Sequence, residues 1–376
     1  MAIKMYKITP DYTTKPGDTL RDSLESLSMT QAELAERMGI TRKHASELLT
    51  GKSRITPQTA NQLEFVLDVP AKYWLALQGQ YDEFLEKTRQ DEELANHVKY
   101  VKKFPYNAMA KNGFVPATKD RTEQLKNLLR FFRVSSFETF VDQTSQNPLL
   151  VGAFRSSAPK FDLDTFALHA WLQEGTILAS KITTHQFNAN LLNEKLPEFR
   201  ALVQLTNPRD FMPKLQVLAA SVGIAVVAVP ELPKSRVSGA TRWLSPFPKA
   251  IIELSFRHKS HDSFWFTFFH ELGHLVLHNK IPFFSVNRSY GQTIEEQQAD
   301  AWATNILIPK KDWHAFITSH NTTNQPIDEA VIIAFSKKIQ THPDIILGRL
   351  QNAGILDYSQ FSTMRVHYHW SSEKND

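Results

Sequence analysis

Residues 264–278 read FWFTFFHELGHLVLH, and the meaning of this stretch decides what the carboxyl-terminal half of the chain is. Its aromatic start and aliphatic end describe a buried helix, on which His and Glu rarely sit unpaired. On a helix His270 and His274 lie four residues apart, about 40° off eclipsed and ~6 Å along the axis. Both imidazoles then converge on one Zn²⁺ at about 2.0–2.1 Å. Glu271 points beside that metal, where it can take a proton from a water activated there. His278 continues the periodicity but sits ~12 Å along the axis from His270, so it supports the site instead of joining it.

A catalytic zinc keeps three protein ligands and one open position. The segment TIEEQQADAWATNILIP at 293–309 offers the third ligand. Glu296 and Asp300 share a helical face; Glu296 ligates while Asp300 orients a metal-bound imidazole through its second N–H. The competing structural reading makes Thr293-x-x-Glu296 a capping box, with Glu295 as the reserve ligand. Tyr290, His320 and Arg349 are candidate oxyanion helpers among which the residue pattern does not choose.

Composition narrows the chemistry further. The 376 residues contain no cysteine, which excludes disulfides, thiolate metal sites and thiol nucleophiles, so a metal here is held by His, Asp or Glu. Of the 14 His, five fall between His258 and His278. The first residues lack the apolar core of a signal peptide, and the aliphatic run Val222–Val229 is far shorter than the ~20 residues a bilayer needs. The expectation is a cytoplasmic protein with no membrane partner.

The amino-terminal stretch TQAELAERMGITRKHASELLTGKSRIT at 30–56 has helix-turn-helix geometry. Ala32, Leu34, Ala35 and Met38 form an inner face, Gly39 the turn, Ile40 a plug, and Ala45, Leu48 and Leu49 the inner face of the second helix. Thr30 with Glu33, Thr41, and Thr56 with Pro57 mark helix starts. Arg42, Lys43, His44 and Ser46 lie on the outer side of the second helix, where a recognition helix enters the major groove, with its cap Thr41 and the following Lys52 alongside. Gln31 can bond a phosphate oxygen. The total charge of +4 says little, but it is unevenly placed. Residues 1–90 are neutral, with 12 Lys and Arg against 12 Asp and Glu, while 42–54 carry four bases against Glu47 alone.

Two family resemblances follow from these motifs. The segment Lys15–Asp82, through its R-K-H recognition start, its G-K-x-x-I-T link and its P-A-x-Y-W-L-x-L-Q-x-x-Y-D tail, resembles the HigA-like branch of the XRE helix-turn-helix regulators. SGATRW at 238–243, FWFTFFHELGHLVLH, EEQQADAWATNILIP at 295–309 and DIILGRLQNAGIL at 344–356 resemble the ImmA/IrrE zinc metallopeptidases. That resemblance implies His270, His274 and Glu296 as ligands and Glu271 as general base. Gln298 departs from it, since relatives often carry an acid there.

The chain therefore reads as mainly α with a small β-sheet (α+β). An all-helical helix-turn-helix domain spans 1–90, a helical middle region 91–210, and a minimal gluzincin-like metallopeptidase domain 211–376. IAVVAVP at 224–230 and KAIIELSF at 249–256 are read as its strands. The expected function is a homodimeric regulator on a double-stranded DNA operator, with a zinc-dependent endopeptidase that cleaves itself or a partner protein such as a repressor or toxin. The alternative is a HigA-like antitoxin or autorepressor whose metal domain is structural or sensory.

Overall fold

The computed structural model describes residues 13–146, 164–244, 249–278, 283–286, 293–323 and 326–368. It divides into two compact units, residues 1–99 and 100–376.

The first unit is helical throughout: α1 (Pro16–Ser26), α2 (Gln31–Met38), α3 (Arg42–Leu49), α4 (Pro57–Leu67) and α5 (Ala71–His97). The start signals act as expected. Thr30, Thr41 and Thr56 each accept a hydrogen bond from the backbone N–H three residues on, and Gly39 closes α2 at φ 66°. Leu20, Leu34, Met38, Leu48, Leu63 and Trp74 build the core. Ala32 does not join it and is exposed, because it stands about 110° round the helix from the Leu34–Met38 face. Gln78 ties α5 down by accepting from Ile55 N–H at 3.0 Å.

The second unit opens with α6 (Tyr106–Lys111), α7 (Arg121–Phe132) and α8 (Phe137–Gln146), followed by α9 (Thr165–Ser180), α10 (Ala189–Ala201) and α11 (Pro208–Ser221). Strands β1 (Ile224–Ala228), β2 (Val237–Leu244) and β3 (Lys249–Leu254) precede α12 (His261–Leu277). Then come β4 (Phe283–Val286), α13 (Ile294–Leu307), α14 (Lys310–Thr323), α15 (Glu329–Ile339) and α16 (Pro343–Asn352). The sheet order is β1-β3-β2-β4, with β1 parallel to β3 and β2 antiparallel to both β3 and β4. The sequence pattern predicts β1 and β3 but not β2 or β4. β2 mixes Ser, Gly, Thr and Arg with its apolar residues, and β4 is four residues long, so neither carries the β-branched run that marks β1 and β3.

The sheet is covered on both sides. On one, Phe264, Trp265, Phe268 and Phe269 of α12 pack with Phe199, Phe211, Ile224, Val226 and Ile252. On the other, α9 lies against β1 and β3, and Trp171 Nε1 donates to the Val229 carbonyl at 3.0 Å. Successive β2 residues face opposite ways. Thr241 reaches α12, whereas Arg242 reaches the Leu172 carbonyl of α9 at 2.8 Å and the buried Glu253 at 2.7 Å. Among the described residues no helix is long and apolar enough to cross a membrane.

Gly17 at the start of α1 lies against the end of α3, where an added Cβ would stand 2.5 Å from the Leu49 carbonyl oxygen and 2.7 Å from that of Leu48. Gly17→Ala should destabilise the first unit by about 1–3 kcal/mol, the usual cost of overpacking. Amide exchange in α1 and α3 should accelerate; exchange at the wild-type rate would contradict this packing.

Candidate metal centre and recognition helix

The helices α12 and α13 pack closely because Gly273 has no side chain. A Cβ there would meet the Trp302 ring at 3.2 Å and Ala299 Cα at 3.4 Å. The close approach brings His270, His274 and Glu296 together. The two Nε2 atoms are 3.0 Å apart, and the Glu296 oxygens lie 3.2 Å from His270 Nε2 and 3.4 Å from His274 Nε2. Ligands at 2.0–2.1 Å around a tetrahedral ion are separated by about 3.3 Å, so this donor set fits zinc. Asp300, the residue expected to orient an imidazole, accepts from His270 Nδ1 at 2.8 Å. The capping reading of Glu296 holds only for its backbone: its N–H meets the Thr293 hydroxyl, while its carboxylate turns to the histidines. Glu295 is half-buried and interacts with Thr293.

Glu271 is 0 % exposed and faces β2. The Thr241 hydroxyl lies 2.7 Å from its Oε2 and 3.0 Å from its backbone carbonyl oxygen. At Gly239 a Cβ would stand 2.7 Å from Glu271 Oε1, so that glycine leaves room for the carboxylate. Residue-by-residue reading assigned no role to Thr241 or Gly239, although both fall in SGATRW, the one signal that pointed to them. His278 lies behind His274, Nδ1 to Nδ1 at 3.1 Å, and its Nε2 is 2.9 Å from Gln298 Oε1. Arg349 donates to the Thr304 and Ile308 carbonyls and stacks on Trp313, and His320 Nδ1 meets the Phe316 carbonyl. Both are thereby occupied in packing. Tyr290 lies outside the described residues.

In the first unit, Arg42, Lys43, Lys52, Gln31 and Thr41 are exposed, and His44 and Ser46 are half-buried. Arg42 and Lys43 open α3, whose inner face buries Ala45, Leu48 and Leu49. Gln31 Nε2 donates to the Arg42 carbonyl at 3.3 Å, which links the start of α2 to the start of α3. The Thr41 hydroxyl is taken up as the α3 cap. Arg54, part of the local basic excess, pairs with Asp82.

Comparison with known proteins matches these two regions separately. Residues 20–74 match the helix-turn-helix family and 222–333 the peptidase family described as the IrrE N-terminal-like domain. The uncharacterized HTH-type transcriptional regulator YddM of Escherichia coli is 40% identical over 65 residues, 17% of this chain and 69% of that protein. The chain belongs to the helix-turn-helix transcriptional regulators. An HTH-type regulator of Haemophilus influenzae is 34% identical over 86 residues, covering 22% of this regulator and 80% of its relative. A solved addiction-module antidote protein of the HigA family from Coxiella burnetii is 26% identical, with a TM-score of 0.21 over 22% of this chain and 91% of that one. A DNA-binding regulator domain and a peptidase-family domain therefore share one chain.

Electrostatics around His270 and Glu296 in this regulator would suit a cation. Burial disfavours charge on His270, but hydrogen bonds that it donates to Asp300 and Glu296 outweigh it and push its pKa up to about 10. Burial likewise opposes ionisation of Glu296, and the two histidines overcome it, holding the carboxyl at about 2. Without metal, a proton on His270 takes the cation's place at neutral pH. A metal must displace that proton, so its apparent affinity should rise about tenfold per pH unit up to about pH 10. Calorimetry in buffers of different ionisation enthalpy should show about one proton released at pH 7; affinity independent of pH would refute this. If His274 binds metal through Nε2, its Nδ1–H must donate to His278, which then donates Nε2–H to Gln298. Gln298→Leu removes that last acceptor and should weaken zinc binding about 10- to 100-fold in a chelator competition.

Proposed function

We propose that this regulator binds a double-stranded DNA operator through α3 and carries a zinc-dependent endopeptidase that cleaves the chain itself or a partner regulatory protein. The observation that carries the hydrolytic half is the convergence of His270, His274 and Glu296 on one point beside the buried Glu271. Zinc, when bound, supplies Lewis acidity to a water and a peptide carbonyl. Glu271 takes the proton of the attacking water and returns it to the departing amine. Thr241 holds the Glu271 carboxylate in place, and Asp300, His278 and Gln298 fix the imidazole tautomers. In the DNA-binding half, Arg42, Lys43, His44 and Ser46 read the major groove, with Gln31, Thr41 and Lys52 on the backbone. A homodimer in the cytoplasm, pairing two recognition helices on a two-fold operator, completes the reading. Phe65, 90% exposed on α4, offers an apolar contact for that pairing.

A second reading, a HigA-like antitoxin or autorepressor whose metal domain senses or stabilises, is favoured by one observation. Glu271 is fully buried and its Oε2 already accepts from Thr241. Glu271→Gln separates the two, because it keeps zinc and DNA binding while removing the base. The first reading expects self- or partner-cleavage to fall at least about 100-fold. Wild-type regulation by the variant in cells would favour the second.

The DNA half has its own test. Arg42→Ala combined with Lys43→Ala should cut operator affinity at least tenfold and narrow the margin over non-specific DNA. An unchanged gel shift would refute the assignment of α3.

A further inference from the structure

The opposite end of α12 carries a second set of metal-ligating side chains. His261 is its first residue, nine positions and about 13 Å along the axis from His270. His342 and Asp344 stand at the start of α16. One ligand atom from each of the three lies within 4.8 Å of the others. His261 Nδ1 is 2.9 Å, and His342 Nδ1 2.8 Å, from the same oxygen, Asp344 Oδ1. His261 and Asp344 are both 0 % exposed.

We propose that His261, His342 and Asp344 bind a second divalent cation, one that clamps the fold and takes no part in hydrolysis. Two observations favour a cation over hydrogen bonds alone. The first is the inventory of unsatisfied atoms. Asp344 Oδ2, His261 Nε2, Asp262 Oδ1 and the Tyr368 hydroxyl are all buried with no hydrogen-bond partner among the described residues. Buried polar groups are rarely left so, and four at one place mark a polar site. The second is charge. Asp262 and Asp344 both reach Tyr368 electrostatically, so two carboxylates share this pocket. Arg365 lies 3.4 Å from Asp262 and balances one of them. The charge of Asp344 is balanced either by a proton on an imidazole or by a cation.

The donor set names the class of ion. Two imidazoles and one carboxylate suit zinc and its borderline neighbours, whereas magnesium and calcium prefer all-oxygen sites. The position explains a structural role. The carboxyl-terminal strap crosses this point, with His261 N–H donating to Val366 O at 3.0 Å and Tyr368 N–H to Lys259 O at 2.7 Å. A cation here would join the starts of α12 and α16 beside that strap, and so anchor the helix whose far half carries His270 and His274.

Metal stoichiometry of the full-length protein tests this. Zinc-loaded, desalted protein should contain two equivalents by plasma mass spectrometry. His342→Ala should retain one, His270→Ala a different one, and the double variant none. His342 is the most accessible of the three, which makes its substitution the mildest for folding. Asp344→Asn, close to isosteric, provides a second variant and should also retain one equivalent. In His270→Ala, removing the remaining equivalent with a chelator should lower the melting temperature. A single wild-type equivalent, lost in His270→Ala and untouched in His342→Ala, would overturn the second site while leaving the first intact. An equivalent lost only in His342→Ala would instead overturn the first.

Discussion

The far half of helix α12 and its C-terminal cap His278 carry three imidazoles and a carboxylate into an apolar core, and the second unit is organised around making them tolerable there. His270, His274, His278 and Glu271 are between 0 and 8 % exposed. A buried polar group without a partner is costly, and charged groups more so. The partners come from outside the helix: Glu296, Asp300 and Gln298 from α13, and Thr241 from β2. The aromatic run at the start of α12 anchors it on the sheet, and Gly273 allows α13 close enough to reach. The site and the core thus depend on the same contacts.

The far face of the sheet meets a related demand. The parallel pair β1–β3 lies at one side of the sheet, and its far face is covered by α9, from the helical stretch that precedes the strands. Glu253 is wholly buried there. Burial raises its pKa and the Arg242 guanidinium only partly offsets this, leaving it at about 8. Gly175 of α9 packs directly on that carboxylate, with no space for a Cβ. α10 contributes Leu192 and Phe199 to the core on the α12 side. Segments that showed no chemistry in the sequence therefore hold both layers around the site.

Much of this was legible from local pattern. Helix starts at Thr30, Thr41 and Thr56 follow from a hydroxyl three residues before a free N–H, a purely local matter. The i,i+4 pairs His270/His274 and Glu296/Asp300 follow from helical geometry alone. What escaped reading depended on remote neighbours. β2 is a strand because β3 and β4 flank it, and its own residues, Gly239 and Arg242 among them, do not announce one. Ala32 has the apolar character of an inner residue, but the packing of α2 leaves it at the surface. The exposed basic edge of α3 was legible as a group; that Gln31 also donates to the Arg42 carbonyl and that Arg54 pairs with Asp82 was not.

The sequence by itself determined which side chains are chemically able to hold a metal, and which short helices present a basic edge, because both depend on residue type and a 3.6-residue period. Only the tertiary structure decided which carboxylate meets the two histidines, how Gln298 and His278 support them, and that His261 lies beside Asp344, 83 residues away. Those choices depend on how helices far apart in sequence pack. Packing is set by the shapes and volumes of all the core side chains together, which no local pattern encodes.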